Sequence, residues 1–281
     1  MTTWRSSHGD LNIKEISFMG WTIVIIRVVP MFVVIFGGLL ILLLLRIFEK
    51  PLFGHNRPIT PFLNQAVCKI SLRIMGINQH IFGRAMTNNG AVVANHSSWL
   101  DIFTLNATQQ VYFVSKSEVA AWPGIGWLAR GAGTVFIKRD RQQAKLQRDM
   151  LSSRLQMGHK LLFFPEGTST DGRQVLPFKS TLFAALFEQN LKSDIYVQPV
   201  SVVYKAPKGC DDRFYGWWGD MAFDSHFLLT LSTWRQGRVE VIFSPPVAIA
   251  DFSSRKDLSK HLQSQVSSAH QQATSRLKSS P

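Results

Sequence analysis

An α/β domain with a mostly parallel central sheet flanked by helices, preceded by an amino-terminal membrane-anchoring helical segment, is the architecture this sequence predicts. Three observations carry it. Near the amino terminus the run from Val28 to Leu45 holds no charge. Beyond it, short apolar, partly β-branched segments alternate with stretches whose apolar residues recur at helical spacing. Polar clusters follow the ends of several apolar segments, where ligands gather in parallel sheets.

Residues 1–20 form a weakly basic leader, and 21–47 form the anchor. Its uncharged core is about 27 Å long at about 1.5 Å per residue, near the roughly 30 Å hydrocarbon thickness. Pro30 and Gly37-Gly38 permit a bend, so the segment either spans or re-enters as a bent hairpin. A buried core helix is disfavoured, because an uninterrupted apolar surface suits lipid. A cleaved signal peptide is disfavoured too: no small-x-small site follows Leu45, and Arg46-Ile-Phe-Glu-Lys-Pro51 comes instead. Arg46, Lys50, Arg57, Lys69 and Arg73 downstream outnumber Arg5, Lys14 and Arg27 upstream, which places the following domain in the cytoplasm if the segment spans.

A linker over 48–61 leads into the domain, 62–250. Phe62 to Met75 reads as a helix ended by Gly76. Strands are predicted at Ala91–Asn95, Val111–Ser115, Thr134–Ile137, Lys160–Phe164, Ile195–Val203 and Arg238–Phe243, and helices at Leu100–Thr108, Arg141–Met157 and Thr181–Asn190. The aromatic-rich stretch from Tyr204 to Thr230 reads as an irregular insertion near the membrane, where Trp and Tyr favour the interface. In the tail, 251–281, Leu258, Leu262, Val266 and Ala269 predict one amphipathic surface helix and a frayed end.

A hydrophobic content of 46% over 281 residues supports a core and argues against disorder. The formal charge of +13 implies an anionic partner: nucleic acid, an anionic membrane face or a phosphate-bearing substrate. Cys68 and Cys210 lack any paired spacing for zinc or an iron-sulfur cluster, and read as buried thiols in a reducing compartment. No metal site is expected.

The chemistry gathers at three predicted strand ends. In Asn95-His-Ser-Ser-Trp-Leu-Asp101, an imidazole can take a proton from a hydroxyl while a carboxylate on its other nitrogen fixes the tautomer. With 8 His and 12 Asp in the chain, roughly 0.3 such spacings arise by chance, so the pair needs company. The plainer reading makes Ser97 or Ser98 a helix cap and Asp101 a dipole partner. A rival chemistry makes Ser97 or Ser98 a nucleophile, although no G-x-S-x-G elbow surrounds them. Gly133-Thr-Val-Phe-Ile-Lys-Arg139 ends a strand in cations suited to phosphate, or starts a solvated basic loop. It matches neither a P-loop nor a dinucleotide fingerprint. Phe164-Pro-Glu-Gly-Thr168 presents Glu166 either to substrate hydroxyls or to a neighbouring cation, and Gly167 lets a ligand approach the backbone; the bland alternative is an ordinary turn. Lys179 adds a cation downstream.

Together with Val197-Gln-Pro-Val-Ser201, these segments, in this order and spacing from about Val92 to Val247, resemble the glycerolipid acyltransferase family, particularly bacterial 1-acyl-glycerol-3-phosphate acyltransferases. The resemblance implies His96 as general base, Asp101 as its partner, and Arg139 with Glu166, Gly167 and Thr168 around the lysolipid phosphate. Lys116 lies where relatives often carry a lysine. Ser169 stands where many members have an arginine, which shifts phosphate recognition toward Arg139 and Lys179. The implied reaction acylates the sn-2 hydroxyl of 1-acyl-glycerol-3-phosphate from acyl carrier protein or acyl-CoA, giving phosphatidic acid, without cofactor or metal. Ser169, Thr170-Asp-Gly172 and Gly216-Trp-Trp-Gly-Asp-Met221 look like enzymes that acylate lyso-ornithine lipid by the same mechanism. The resemblance also implies the cytoplasmic face of the inner membrane, with anionic lipids rather than nucleic acid as partners. A basic membrane-tethered binding protein without catalysis is the remaining alternative.

Overall fold

The computed structural model describes residues 4–11, 15–138, 140, 142–188 and 195–279. Its first element, α1 (Phe18–Phe53), is 36 residues long and capped by the Ser17 hydroxyl, which accepts from Gly20 N. At about 1.5 Å per residue it measures about 54 Å, well beyond a hydrocarbon core. One side is docked on α2 (Thr60–Met75), α4 (Ile125–Gly131) and α6 (Phe223–Ser232). The other side exposes Ile25, Ile26, Phe32, Val33, Leu40 and Leu44. Arg27, the lone charge in the apolar stretch, donates to the carbonyls of Leu231, Thr233 and Trp234 and so caps α6. Helices α1 and α2 meet closely at Gly38, where a Cβ would lie 2.5 Å from Val67 Cγ2.

The helix outruns the expected anchor at both ends, and the linker shrinks to residues 54–59. Glu49 supplies the reason. Its carboxylate accepts from Ile59 N (2.7 Å), Thr60 N (3.0 Å) and the Thr60 hydroxyl (2.9 Å), neutralising the amino-terminal end of α2 and keeping the last turns of α1 in register with it.

The sheet runs β1-β7-β6-β2-β5-β3-β4, with β8 (Val247–Ala248) beside β6. These strands are β1 (Asn78–Phe82), β2 (Gly90–Ala94), β3 (Tyr112–Lys116), β4 (Val135–Ile137), β5 (Leu161–Phe163), β6 (Tyr196–Lys205) and β7 (Arg238–Phe243). All pairings are parallel except those of β6 with β7 and β8, so the expected mostly parallel sheet is present. Alternation in β2 divides the core. Val92 and Ala94 pack with the α1, α2 and α6 side, whereas Ala91 and Val93 pack with the side that carries α5 (Ala144–Gln156) and α7 (Arg255–Ser279).

Strand β1, with its mainly exposed Asn-Gln-His-Ile-Phe sequence, lacks the apolar pattern that marks a strand; it is held by backbone pairing with β7. Residues Ser180–Phe187 form 3-10 turns rather than an α-helix, and the end of that expected helix, 189–190, lies outside the described residues, as does Arg141. The aromatic stretch contains the end of β6 and most of α6. The tail helix is not peripheral: Leu258, Leu262 and Val266 are 0% exposed, and Ser201 Oγ donates to Val266 O across the interface with β6. Its buried stripe passes Ala269 and continues through His270, Ala273 and Leu277. Cys68 is buried, but Cys210 is exposed.

Candidate active site

Strand β2 delivers Asn95 and His96 to the carboxyl edge of the sheet, and α3 (Leu100–Thr108) starts immediately afterwards. Asn95 continues the sheet with its side chain: its amide donates to Val202 O (2.9 Å) and accepts from Val202 N (2.8 Å). His96 comes next, fixed at several atoms. Its backbone N–H donates to Glu166 Oε1 (2.7 Å), its carbonyl accepts from Thr170 N (3.0 Å), and its ring stacks on Phe164 at 4.1 Å. Its Nδ1 lies 2.7 Å from Asp101 Oδ2. Nδ1 is thereby committed to the carboxylate, and Nε2 is the other ring nitrogen of a side chain that is 21% exposed.

Asp101 occupies the first turn of α3 and folds back onto the preceding loop. Oδ2 also accepts from Ser97 N (2.8 Å) and Ser98 N (3.0 Å), while Oδ1 accepts from the Tyr204 hydroxyl (2.8 Å). The carboxylate thus satisfies the helix start and orients the imidazole at once. Contact with the helix start and contact with the imidazole, alternatives in the sequence, are one arrangement here. Ser97 and Ser98 are 1% and 0% exposed, which hides both hydroxyls from an incoming carbonyl and disfavours a serine nucleophile.

Glu166, on the turn after β5, points at the backbone and not at the hydroxyls or cation that the sequence reading gave it. Its Oε1 takes His96 N and its Oε2 takes Leu176 N (2.7 Å), and the residue is 2% exposed. It braces the His96 loop. Burial pushes its carboxyl up to about 8, helped by the neighbouring Asp101 charge and opposed by the two backbone donors. Between the ordinary carboxyl range near 4.5 and about 8, the folded protein binds a proton here that the unfolded chain releases, so this group makes stability fall as pH rises across that window. Glu166→Gln removes the titration. Melting curves from pH 5 to 8.5 are expected to flatten, with an overall loss of about 1–3 kcal/mol because the Gln amide nitrogen cannot accept from a backbone donor.

Gly167 adopts φ +71°, the left-handed region that favours glycine, and its N–H donates to Phe164 O, so it shapes the turn. Thr168 is half-buried beside it, with its hydroxyl directed to Ser169 O. Lys179 is exposed just past the same turn, its N–H on Pro165 O. Lys116 ends β3, and Lys138 follows β4. Arg139 lies outside the described residues. The strand order β2-β5-β3-β4 lays His96, Glu166, Lys116 and Lys138 out along one edge; three strand spacings of about 4.8 Å put the β4 end about 14 Å from the β2 end.

Sequence reading gave no sign of the apolar cavity beside this edge. Its volume is about 470 Å³, within the range of small-molecule sites. Met31, Ile35 and Leu39 of α1, Val67 of α2, Trp99 and Phe113 contribute to its wall. Phe113 stacks on Phe164, which stacks on His96, so an aromatic path joins cavity and imidazole. Tyr204 and Asn95 were missed as well, since their partners are more than a hundred residues distant.

A family model described as Acyltransferase matches residues 78–203, which span the strand ends just described. The lyso-ornithine lipid O-acyltransferase of Rhodobacter capsulatus is 55% identical over 238 residues, 85% of this chain and 86% of that one. The chain belongs to the glycerolipid acyltransferase family. A 1-acyl-sn-glycerol-3-phosphate acyltransferase of Neisseria gonorrhoeae is 39% identical over 106 residues, 37% of this chain and 42% of that one. Among solved structures, the 1-acyl-sn-glycerophosphate acyltransferase of Thermotoga maritima superposes with a TM-score of 0.64 at 21% identity, covering 91% of this chain and 96% of that one, which shows a shared fold. This family member is therefore an acyltransferase of the lysophospholipid type, with an apolar amino-terminal helix consistent with membrane anchoring.

Proposed function

We propose that the protein acylates the hydroxyl of lyso-ornithine lipid at the membrane surface, using an acyl carrier protein or CoA thioester, with His96 as general base and Asp101 as its orienting partner. The observation that carries the chemistry is the His96 Nδ1 to Asp101 contact, which commits one ring nitrogen and leaves Nε2 for the acceptor. As the hydroxyl oxygen attacks the thioester carbonyl, its proton passes to Nε2. The carbon–sulfur bond then breaks, and the imidazolium returns that proton to the departing thiolate. Asp101 stabilises the imidazolium meanwhile. No acyl-enzyme is needed. The cavity lined by α1, α2 and the sheet suits a hydrocarbon chain, because its lining is overwhelmingly apolar and begins two ring contacts from the base.

Support for the acceptor comes from the relative of that name, which matches along most of both chains, and from Ser169 in place of the arginine many phosphate-recognising members carry. 1-Acyl-glycerol-3-phosphate is the second reading, favoured by the Neisseria relative and by Lys116 and Lys138 at adjacent strand ends. Membrane attachment follows from the exposed apolar face of α1, and the +13 surplus suits anionic lipids and an acidic carrier or CoA on the cytoplasmic face of an inner membrane. Expression in cells that make both lysolipids but lack their own acylation steps separates the readings. Lipid extracts are expected to gain diacylated ornithine lipid; a gain in phosphatidic acid alone would exclude the first acceptor.

A further inference from the structure

Asp101 accepts from two loop amides and the imidazole through Oδ2, but its Oδ1 is reserved for a phenol from the neighbouring strand β6. Tyr204 reaches it because β6 runs past the end of β2. Backbone pairing of β2 with β6 stops at Ala94 and Val200, and the Asn95 side chain carries the connection on to Val202. Two residues later the Tyr204 hydroxyl lies 2.8 Å from Asp101 Oδ1 and 3.1 Å from Thr104 Oγ1, one helical turn along α3. Donor and acceptor chemistry sets the direction of this chain. The carboxylate accepts only, so the phenol donates to it and the Thr104 hydroxyl donates to the phenol. Tyr215 packs against the Tyr204 ring at 5.4 Å and is itself tied by its hydroxyl to Gln236 and Gly237.

We infer that Tyr204 is a positioning residue that tunes His96 through Asp101: its hydroxyl takes up part of the carboxylate's charge, so that the imidazole is oriented without holding its proton too tightly. This rests on the proposed role of His96 and Asp101. A carboxylate stripped of one donor attracts the adjacent imidazolium more strongly, and the base then needs a higher pH to be free. The phenol is suited to the task, because burial first and the Asp101 charge second raise its ionisation well above the ordinary tyrosine range and keep it a neutral donor. Titratable groups facing the pair from other elements are Glu166, from the turn after β5, and Tyr215, which faces Tyr204; α3 itself carries no other. None of them donates to Oδ1 among the described residues.

Tyr204→Phe in the full-length membrane-bound chain tests this, with kcat, KM and the pH profile of kcat/KM measured on the better of the two lysolipid acceptors. Loss of a hydrogen bond to the charged carboxylate is expected to move the acid limb up by about one pH unit, so that kcat/KM falls about tenfold at pH values below the limb and less above it, with KM for both substrates nearly unchanged. Thr104→Val, which only weakens the phenol as a donor, is expected to move the limb the same way by a few tenths of a unit, and it carries the test should Tyr204→Phe fail to accumulate. An unmoved acid limb, whether activity is kept or lost, overturns the inference and leaves Tyr204 a packing residue. An active His96→Ala protein would instead overturn the catalytic reading beneath it.

Discussion

His96→Ala is expected to lower acyl transfer by about 10³-fold or more while the protein stays folded and in the membrane fraction. The size follows from what the side chain supplies in the proposed mechanism, a general base at Nε2 and later the acid for the leaving sulfur, since such groups contribute about 10²–10⁴-fold at each role. Stability should change little, because the ring is partly exposed and its packing is mainly one stacked face on Phe164. The loop survives its loss, since Glu166 and Thr170 hold the His96 backbone and not its side chain. A steady-state assay on washed membranes, with thermal melting of the purified variant alongside, checks both halves. A binding protein without catalysis would tolerate the change.

Asp101→Asn is expected to cost nearly as much, about 10²–10⁴-fold in kcat with KM little altered, although it is almost isosteric. The amide can keep its oxygen on the Oδ2 side, where Ser97 N, Ser98 N and His96 Nδ1 all require an acceptor. Turning it around would set an NH2 against two backbone N–H donors. In the tolerated orientation the geometry survives, but the negative charge that stabilises the imidazolium is gone, and the NH2 faces the Tyr204 hydroxyl, which must then turn to accept. The loss therefore appears in kcat and not in substrate binding. Comparison of kcat and KM for the variant and the parent protein reads it directly; a rise in KM at unchanged kcat would place Asp101 in substrate binding instead.

What the sequence disclosed about this site follows from locality. His96 and Asp101 are five residues apart, across a turn into a helix, and that spacing alone brings imidazole and carboxylate together. Glu166 was legible as a special residue but not as a brace, because its partner is the backbone N–H of a residue 70 positions earlier, and a backbone atom leaves no trace in a side-chain pattern. Tyr204 is farther still, reaching Asp101 across 103 positions by the overrun of β6, so nothing short of the sheet order predicts it. The same holds for the fold. Strands buried on both faces declared themselves by apolar runs, whereas β1, on the exposed edge, did not. Helix α1 was readable as apolar, yet apolarity does not say which face meets lipid. Its close approach at Gly38 and the capping role of Arg27 show that it is also a wall of the domain and of the cavity.

The proposed activation of the lyso-ornithine lipid hydroxyl by His96 is checked by incubating the purified protein with an acyl carrier protein thioester and either lyso-ornithine lipid or 1-acyl-glycerol-3-phosphate, with the His96→Ala protein in parallel. Diacylated ornithine lipid is expected from the first acceptor with the parent protein, and almost none with the variant. Phosphatidic acid as the sole product, or ornithine lipid formed equally well without the imidazole, would contradict it.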